Sequence, residues 1–314
     1  MSYRYHHKVV FWLVVLILAN GCTGFAQFRK TGTVGYTFLE IPVTAQQAAL
    51  RNAGGSLVKN SGQLALFLNP AGLGFQSSHS VGISNSAWIA EIQHYGAGVV
   101  ITGKGIGNFG LSLNYIDYGE IPQTELVSAL GEYRRIGNYT AQSMSIGASY
   151  ARQLTDRFSW GLRTKWINER IHEYSSGNVL IDLGVLYYTG FHSLRIGGYI
   201  TNFGLDSRYI GDSFKMPTEL RLSFAYDVWE RPVHFLTLVG EVSHPSDNPE
   251  KLHIGARYQF HELLLFYAGY QYPSDEDPYS LGMGFRTHGY TIDLALIPFG
   301  RFPSVFYLTL QKEF

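Results

Sequence analysis

Residues 105–117 read Gly-Ile-Gly-Asn-Phe-Gly-Leu-Ser-Leu-Asn-Tyr-Ile-Asp, and their interpretation separates two folds. Gly105, Gly107 and Gly110 match the GxGxxG fingerprint of a dinucleotide site and come after an apolar run. In that fold the glycine turn must open a helix, because the pyrophosphate rests on the helix amino end. This chain alternates instead. Phe109, Leu111, Leu113 and Tyr115 share one face of an extended chain, and Ser112 and Asn114 share the other. The stretch is therefore read as a tight hairpin turn feeding a strand.

Residues 78–314 break into about fourteen runs of this kind, each about ten residues long, the length of a membrane-crossing strand. They are expected near 78–89, 92–103, 107–117, 140–152, 157–169, 177–188, 192–202, 218–227, 233–243, 250–259, 262–272, 279–287, 289–297 and 304–313. Charges sort to one face. Trp160, Leu162 and Trp166 oppose Arg163, Lys165 and Glu169; Leu220, Leu222, Phe224 and Tyr226 oppose Glu219, Arg221 and Asp227. Leu252, Ile254 and Tyr258 oppose His253 and Arg257, and Tyr290, Ile292 and Leu294 oppose Asp293. Arg or Lys facing lipid at mid-membrane costs about 2 to 4 kcal/mol, which selects for such sorting. The charged face is read as the lumen, placing Arg163, Lys165, Asp182, Arg195, Glu219, Arg221, Asp227, Glu241, Arg257, Arg286 and Asp293 inside. Both signs occur, so the set is expected to brace the wall and grip a plug rather than to filter ions.

Composition agrees with a barrel. Charged residues are 15% of the 314, against about 25% in soluble proteins, while Tyr (22), Phe (20) and Gly (35) are abundant. A formal net charge of +0 advertises no nucleic-acid partner. Residues 1–26 have the look of a secretory signal: Arg4 and Lys8, an apolar core from Val9 to Ala19, and Gly24-Phe25-Ala26 as the cleavage site. The only cysteine, Cys22, precedes that site, so the mature chain is expected to lack disulfides and thiol chemistry; the rival is lipoprotein processing at Cys22. Links after odd-numbered runs are expected to be the longer, outer ones, chiefly 118–139 and 204–217. The last run ends on Phe314, read as the membrane-insertion signal of an outer-membrane barrel.

Between signal and barrel, residues 27–77 obey neither pattern. Thr44 is placed to cap a short helix running to Leu50, which the pair Gly54-Gly55 is expected to stop. A second small apolar run, Leu64 to Leu68, enters Asn69-Pro70-Ala71-Gly72-Leu73, a turn because proline removes a donor and biases Asn69 away from helix. The fold class is thus an all-β membrane protein, a barrel of about fourteen antiparallel strands around an N-terminal helical plug.

The joined pattern FLEIPVTAQQAAL, LALFLNPAGLGF and a barrel ending in Phe resembles the PorV/PorQ family of outer-membrane proteins, themselves similar to FadL-type fatty-acid transporters. Asn69-Pro70-Ala71 matches the NPA motif of the FadL-type plug; Gln46-Gln47 and Lys59-Asn60 stand where the PorV/PorQ family often carries Gly-Ala-Arg and an acidic residue. The resemblance implies a Gram-negative outer-membrane barrel that meets lipid and acts, without enzymatic chemistry, as a protein-binding part of type IX secretion or surface attachment, with secretion or attachment proteins and exported cargo as partners. The alternative it implies is FadL-like passive transport of hydrophobic small molecules. Other chemistry has bland explanations. Asp275-Glu276-Asp277 is read as a solvated acidic tip before a calcium site, Asn138-Tyr139-Thr140 as a chance glycosylation triplet, and no His sits beside a nucleophile in a motif. No catalytic residue, metal or cofactor is expected.

Overall fold

The computed structural model describes residues 32–57, 62–127, 131–275 and 277–314. The signal segment 1–26 with Cys22, and Lys59, Asn60 and Glu276, lie outside the described residues.

Alternation of side chains produces strands, and the strands close. β1 (Ser80–Ala87), β2 (Gln93–Gly103), β3 (Gly107–Leu126), β4 (Tyr133–Thr155), β5 (Phe158–Ile171), β6 (Tyr174–Tyr188) and β7 (Arg195–Phe203) pair in sequence. A ribbon of β8 (Ser207–Arg208) and β9 (Ser213–Phe214) interrupts them. The wall then continues through β10 (Glu219–Glu230), β11 (His234–Pro245), β12 (Lys251–Phe260), β13 (Leu264–Tyr272), β14 (Tyr279–Thr287), β15 (Tyr290–Phe299) and β16 (Phe302–Glu313). β1 and β16 zip antiparallel from Ser80 opposite Glu313 to Ala87 opposite Phe306, so the barrel has no edge. It is a closed antiparallel barrel of fourteen strands, with β8–β9 apart from it. Among the described residues no helix is long and apolar enough to cross a membrane.

Burial obeys the alternation: Leu111, Leu113, Leu222, Ile254 and Leu294 are exposed on the outer face, while Ser112, Asn114, Arg221, His253 and Asp293 are buried inward. The GxGxxG stretch is the β2–β3 hairpin. Gly105 (φ 78°) and Gly107 (φ 100°) take the left-handed turn that a nucleotide-binding helix start would not supply.

Two expectations fail, the first at the end of the barrel away from the termini, here the far mouth. Residues 118–139 are not a loop, since β3 and β4 continue to Leu126 and from Tyr133 as one projecting hairpin. Beyond the apolar outer belt both faces are largely exposed, so the apolar alternation that reveals a strand disappears there. For the same reason the links after β5 and β15 shrink to residues 172–173 and 300–301. The helix α1 (Ala45–Ala49) also stops early. Its C-cap is Leu50, and Arg51 (φ 49°) and Asn52 (φ 64°) turn the chain before Gly54-Gly55 is reached.

Candidate functional site

The described parts of the segment between Val34 and Gln76, residues 34–57 and 62–76, lie against the inner face of the wall and run from the far mouth to the end holding the termini. At the far mouth Val34 bridges Lys215, and Gly35 N–H donates to Lys215 O (3.1 Å). Tyr36 stands edge-on to Phe214 (5.3 Å between ring centres), and its hydroxyl meets Ser176 (2.7 Å) and Ser207 (2.9 Å). The span 204–217, expected as a long outer link, is thus partly folded inward over the segment, although Leu205 and Ile210 remain exposed.

Deeper in, Thr44 accepts from Gln47 N–H (3.2 Å) as the cap of α1, and Ala45 N–H donates to Thr309 Oγ1 (2.8 Å) on β16. The helix approaches closely because Gly269 and Gly282 face it: a Cβ on either would sit 2.6 Å from Ala49. The left-handed turn is held from the wall. His253 Nδ1 meets Arg51 O (2.7 Å), and the Arg51 guanidinium donates to the carbonyls of Asp277 and Tyr279. Gly55 N–H donates to Glu241 (3.2 Å) and Ser56 Oγ meets Ser223 Oγ (2.6 Å).

The helix α2 (Gly62–Phe67) leads into Asn69-Pro70-Ala71-Gly72-Leu73 near the terminal end, all buried. Asn69 Oδ1 accepts from Ala71 N–H (3.1 Å), and Nδ2 donates to Gly55 O (3.0 Å) and to Val185 O of β6 (3.3 Å). Ser159 donates to Ala71 O (2.8 Å), and Asn108 Nδ2 to Leu73 O (2.6 Å) and Gln76 O (2.8 Å). Asn108, Ser159 and Ser223 are wall anchors that sequence reasoning missed, because a small polar residue on the lumen face carries no signal of which one meets the plug.

Eight of the eleven inward charges form three groups. Arg163 and Lys165 share Asp182 (2.9 Å from Lys165 Nζ), and Arg163 also donates to the carbonyls of Leu66 and Phe67 at the end of α2. Arg195 makes two bonds to Asp227 (2.7 and 3.0 Å), a pairing within the wall. Arg221 joins Glu219 (2.6 Å) and Glu241 (2.8 Å), with Tyr199 donating to Glu241 (2.7 Å). Asp293 accepts from Tyr267 (2.9 Å), Arg286 donates to Thr291 (3.1 Å), and Arg257 is buried. Phe314 is exposed, with its N–H donating to His79 O (2.9 Å) and Lys312 Nζ 5.9 Å from its ring centre. Among the described residues no group of His, Cys, Asp and Glu could hold a metal.

Between the segment and the β10–β15 side of the far mouth a cavity of about 310 Å3 remains. Ile41, Pro42, Trp88, Ile297 and Phe299 give it an apolar wall; Glu40, Arg51, Asn52, Glu219, Arg221, Lys251 and His253 give it polar ones. Solvent reaches Glu40 through the open mouth, yet protein encloses it on other sides. This desolvation, partly offset by Lys251, lifts its carboxyl to about 7. A larger apolar hollow of about 500 Å3 lies elsewhere, among the outward side chains of Phe266, Met283, Leu294 and Phe306.

No protein-family model matches the sequence, and no curated protein matches it either. Solved structures do. The toluene transporter TodX of Pseudomonas putida aligns with a TM-score of 0.58 at 12% identity over 91% of this chain and 99% of its own. A TodX mutant, a monoaromatic hydrocarbon channel, gives 0.59 at 13% identity over 87% and 98%. A FadL homologue of Pseudomonas aeruginosa gives 0.55 at 12% identity over 87% and 98%. At such identity the likeness is one of fold, and the chain has the fold of the FadL-type outer-membrane barrels.

Proposed function

We propose that the protein is a passive, gated conduit for a small molecule across the outer membrane of a Gram-negative bacterium, with residues 34–76 as the plug. The observation that carries this reading is the segment itself. It traverses the bore, is tied to the wall at many points around it, and leaves a cavity beside it that opens at the far mouth. Fold likeness to TodX and to a FadL homologue supports it. Because the cavity sets Trp88, Ile297 and Phe299 against charged side chains, the cargo is an amphipathic molecule rather than a plain hydrocarbon. In planar bilayers the intact chain is expected to show little steady conductance, and a chain lacking residues 34–76 a large ohmic one. Equal conductance from the two would sink the plug assignment.

A second reading is a protein-binding role at the surface, in type IX secretion or attachment. One observation favours it: the projecting β3–β4 hairpin exposes Leu126, Tyr133 and Ile136, and apolar side chains presented above a membrane belt suit a partner. Affinity purification from native outer membranes that recovers no secretion or attachment protein, with secretion intact in a deletion strain, removes it.

A further inference from the structure

We propose that the far-mouth cavity is a binding site for a small zwitterion, an amino acid or dipeptide, whose ammonium pairs with Glu40, whose carboxylate pairs with Lys251, and whose apolar side group lies against Trp88 and Phe299. Several of the cavity's polar groups already have partners within the protein. Arg221 is saturated by Glu219 and Glu241, and Arg51 donates to the carbonyls of Asp277 and Tyr279. His253 has both ring nitrogens engaged, one with Arg51 O and one with Ser243 (3.2 Å). Glu40 and Lys251 differ. They line the same cavity and attract one another electrostatically, yet among the described residues neither makes a hydrogen bond or an ion pair through its side chain.

Two opposite charges held near each other but not joined leave room for a ligand that carries both complements. An anion alone would leave Glu40 unmatched; a metal cation would leave Lys251 so. The apolar wall is a rigid pair, Trp88 edge-on to Phe299 at 5.3 Å and 75°. At about 310 Å3 the space is at the small end of ligand pockets, roughly 300 to 1,000 Å3, and excludes longer peptides.

The charged and titratable groups facing Glu40 are Glu219 and Arg221 of β10, Asp247 of the β11–β12 turn and Lys251 of β12. Partial desolvation by the protein around it raises Glu40, so lowering the pH through about 7 neutralises it while a ligand ammonium stays charged. Affinity should therefore fall as pH falls through that value.

The site depends on the conduit reading only for its use in the cell. The test is calorimetric titration of the full chain in detergent with L-alanyl-L-phenylalanine, its N-acetyl and C-amide forms, and toluene. Saturable binding of the free dipeptide is expected, with each blocked form at least about tenfold weaker. Glu40→Gln should abolish the penalty for N-acetylation and the pH dependence; Lys251→Met should abolish the penalty for amidation. Heat-modifiable gel migration verifies that each variant retains its barrel. No saturable binding, equal binding of the blocked forms, or displacement of the dipeptide by toluene overturns the site. Dipeptide flux into liposomes is read separately. Binding without flux rejects the conduit and keeps the site, and flux without selective binding does the reverse.

Discussion

Asn69 joins three stretches of chain through one amide, capping Ala71 N–H while donating to Gly55 O and Val185 O. Asn69→Ala leaves the buried Gly55 carbonyl, the half-buried Val185 carbonyl and the Ala71 N–H to find new partners, at about 1 to 3 kcal/mol for an unsatisfied buried group. Faster proteolysis within 34–76 and a raised conductance are the expected signs. Gly161→Ala attacks the same turn from the wall, since its Cβ would fall 2.5 Å from Ala71 N, a backbone atom with little room to yield. Glu40 gives a pH test. Its carboxyl sits above the ordinary value of 4.5, at about 7, so the folded state binds more protons than the unfolded one between those values. Stability is therefore full below about 4.5 and declines as pH rises through about 7. Glu40→Gln should flatten that decline in thermal melts across the same window. Asn69 was legible in the sequence because Asn-Pro has local consequences. Glu40 and Lys251 were not, because their shared cavity joins residues about two hundred positions apart that no local period connects.

Strands were the most legible elements, because lipid on one side and a packed interior on the other impose period two. Legibility ended where that asymmetry ended. The outer reaches of β3 and β4 carry no face pattern, and the stop of α1 depends on wall contacts to Arg51 rather than on a glycine. The hairpin beyond Asp117 projects past the wall, so removing residues 120–138 with a short turn in their place should leave heat-modifiable migration unchanged. Loss of the folded band would show that it supports the wall. The β5–β6 charge cluster behaves otherwise. Asp182→Asn strands Arg163 and Lys165 inside the barrel, and breaking a buried pair costs about 3 to 5 kcal/mol. Lower urea resistance is expected, together with exposure of the α2 end that Arg163 holds through Leu66 O and Phe67 O.

At the scale of the whole molecule, fourteen strands enclose a bore whose contents are covalently continuous with its first strand. Residues 34–76 bond to β16 through Thr309, to β12 through His253, to β10 through Ser223, to β6 through Val185, to β5 through Ser159 and to β3 through Asn108. Those contacts span most of the circumference, and the chain passes from the segment into β1 by residues 77–79. The seam between β1 and β16 is also the strand pairing farthest apart along the sequence, and such pairings form slowly because a long loop must close first. This dictates an order of assembly. A threaded tail of this length, fixed on many sides, has no route into a finished cylinder, so the wall is laid around its contents as a mould is closed around a core. The seam is then expected to be the last joint made, and the protein carries within itself the mandrel on which it is shaped.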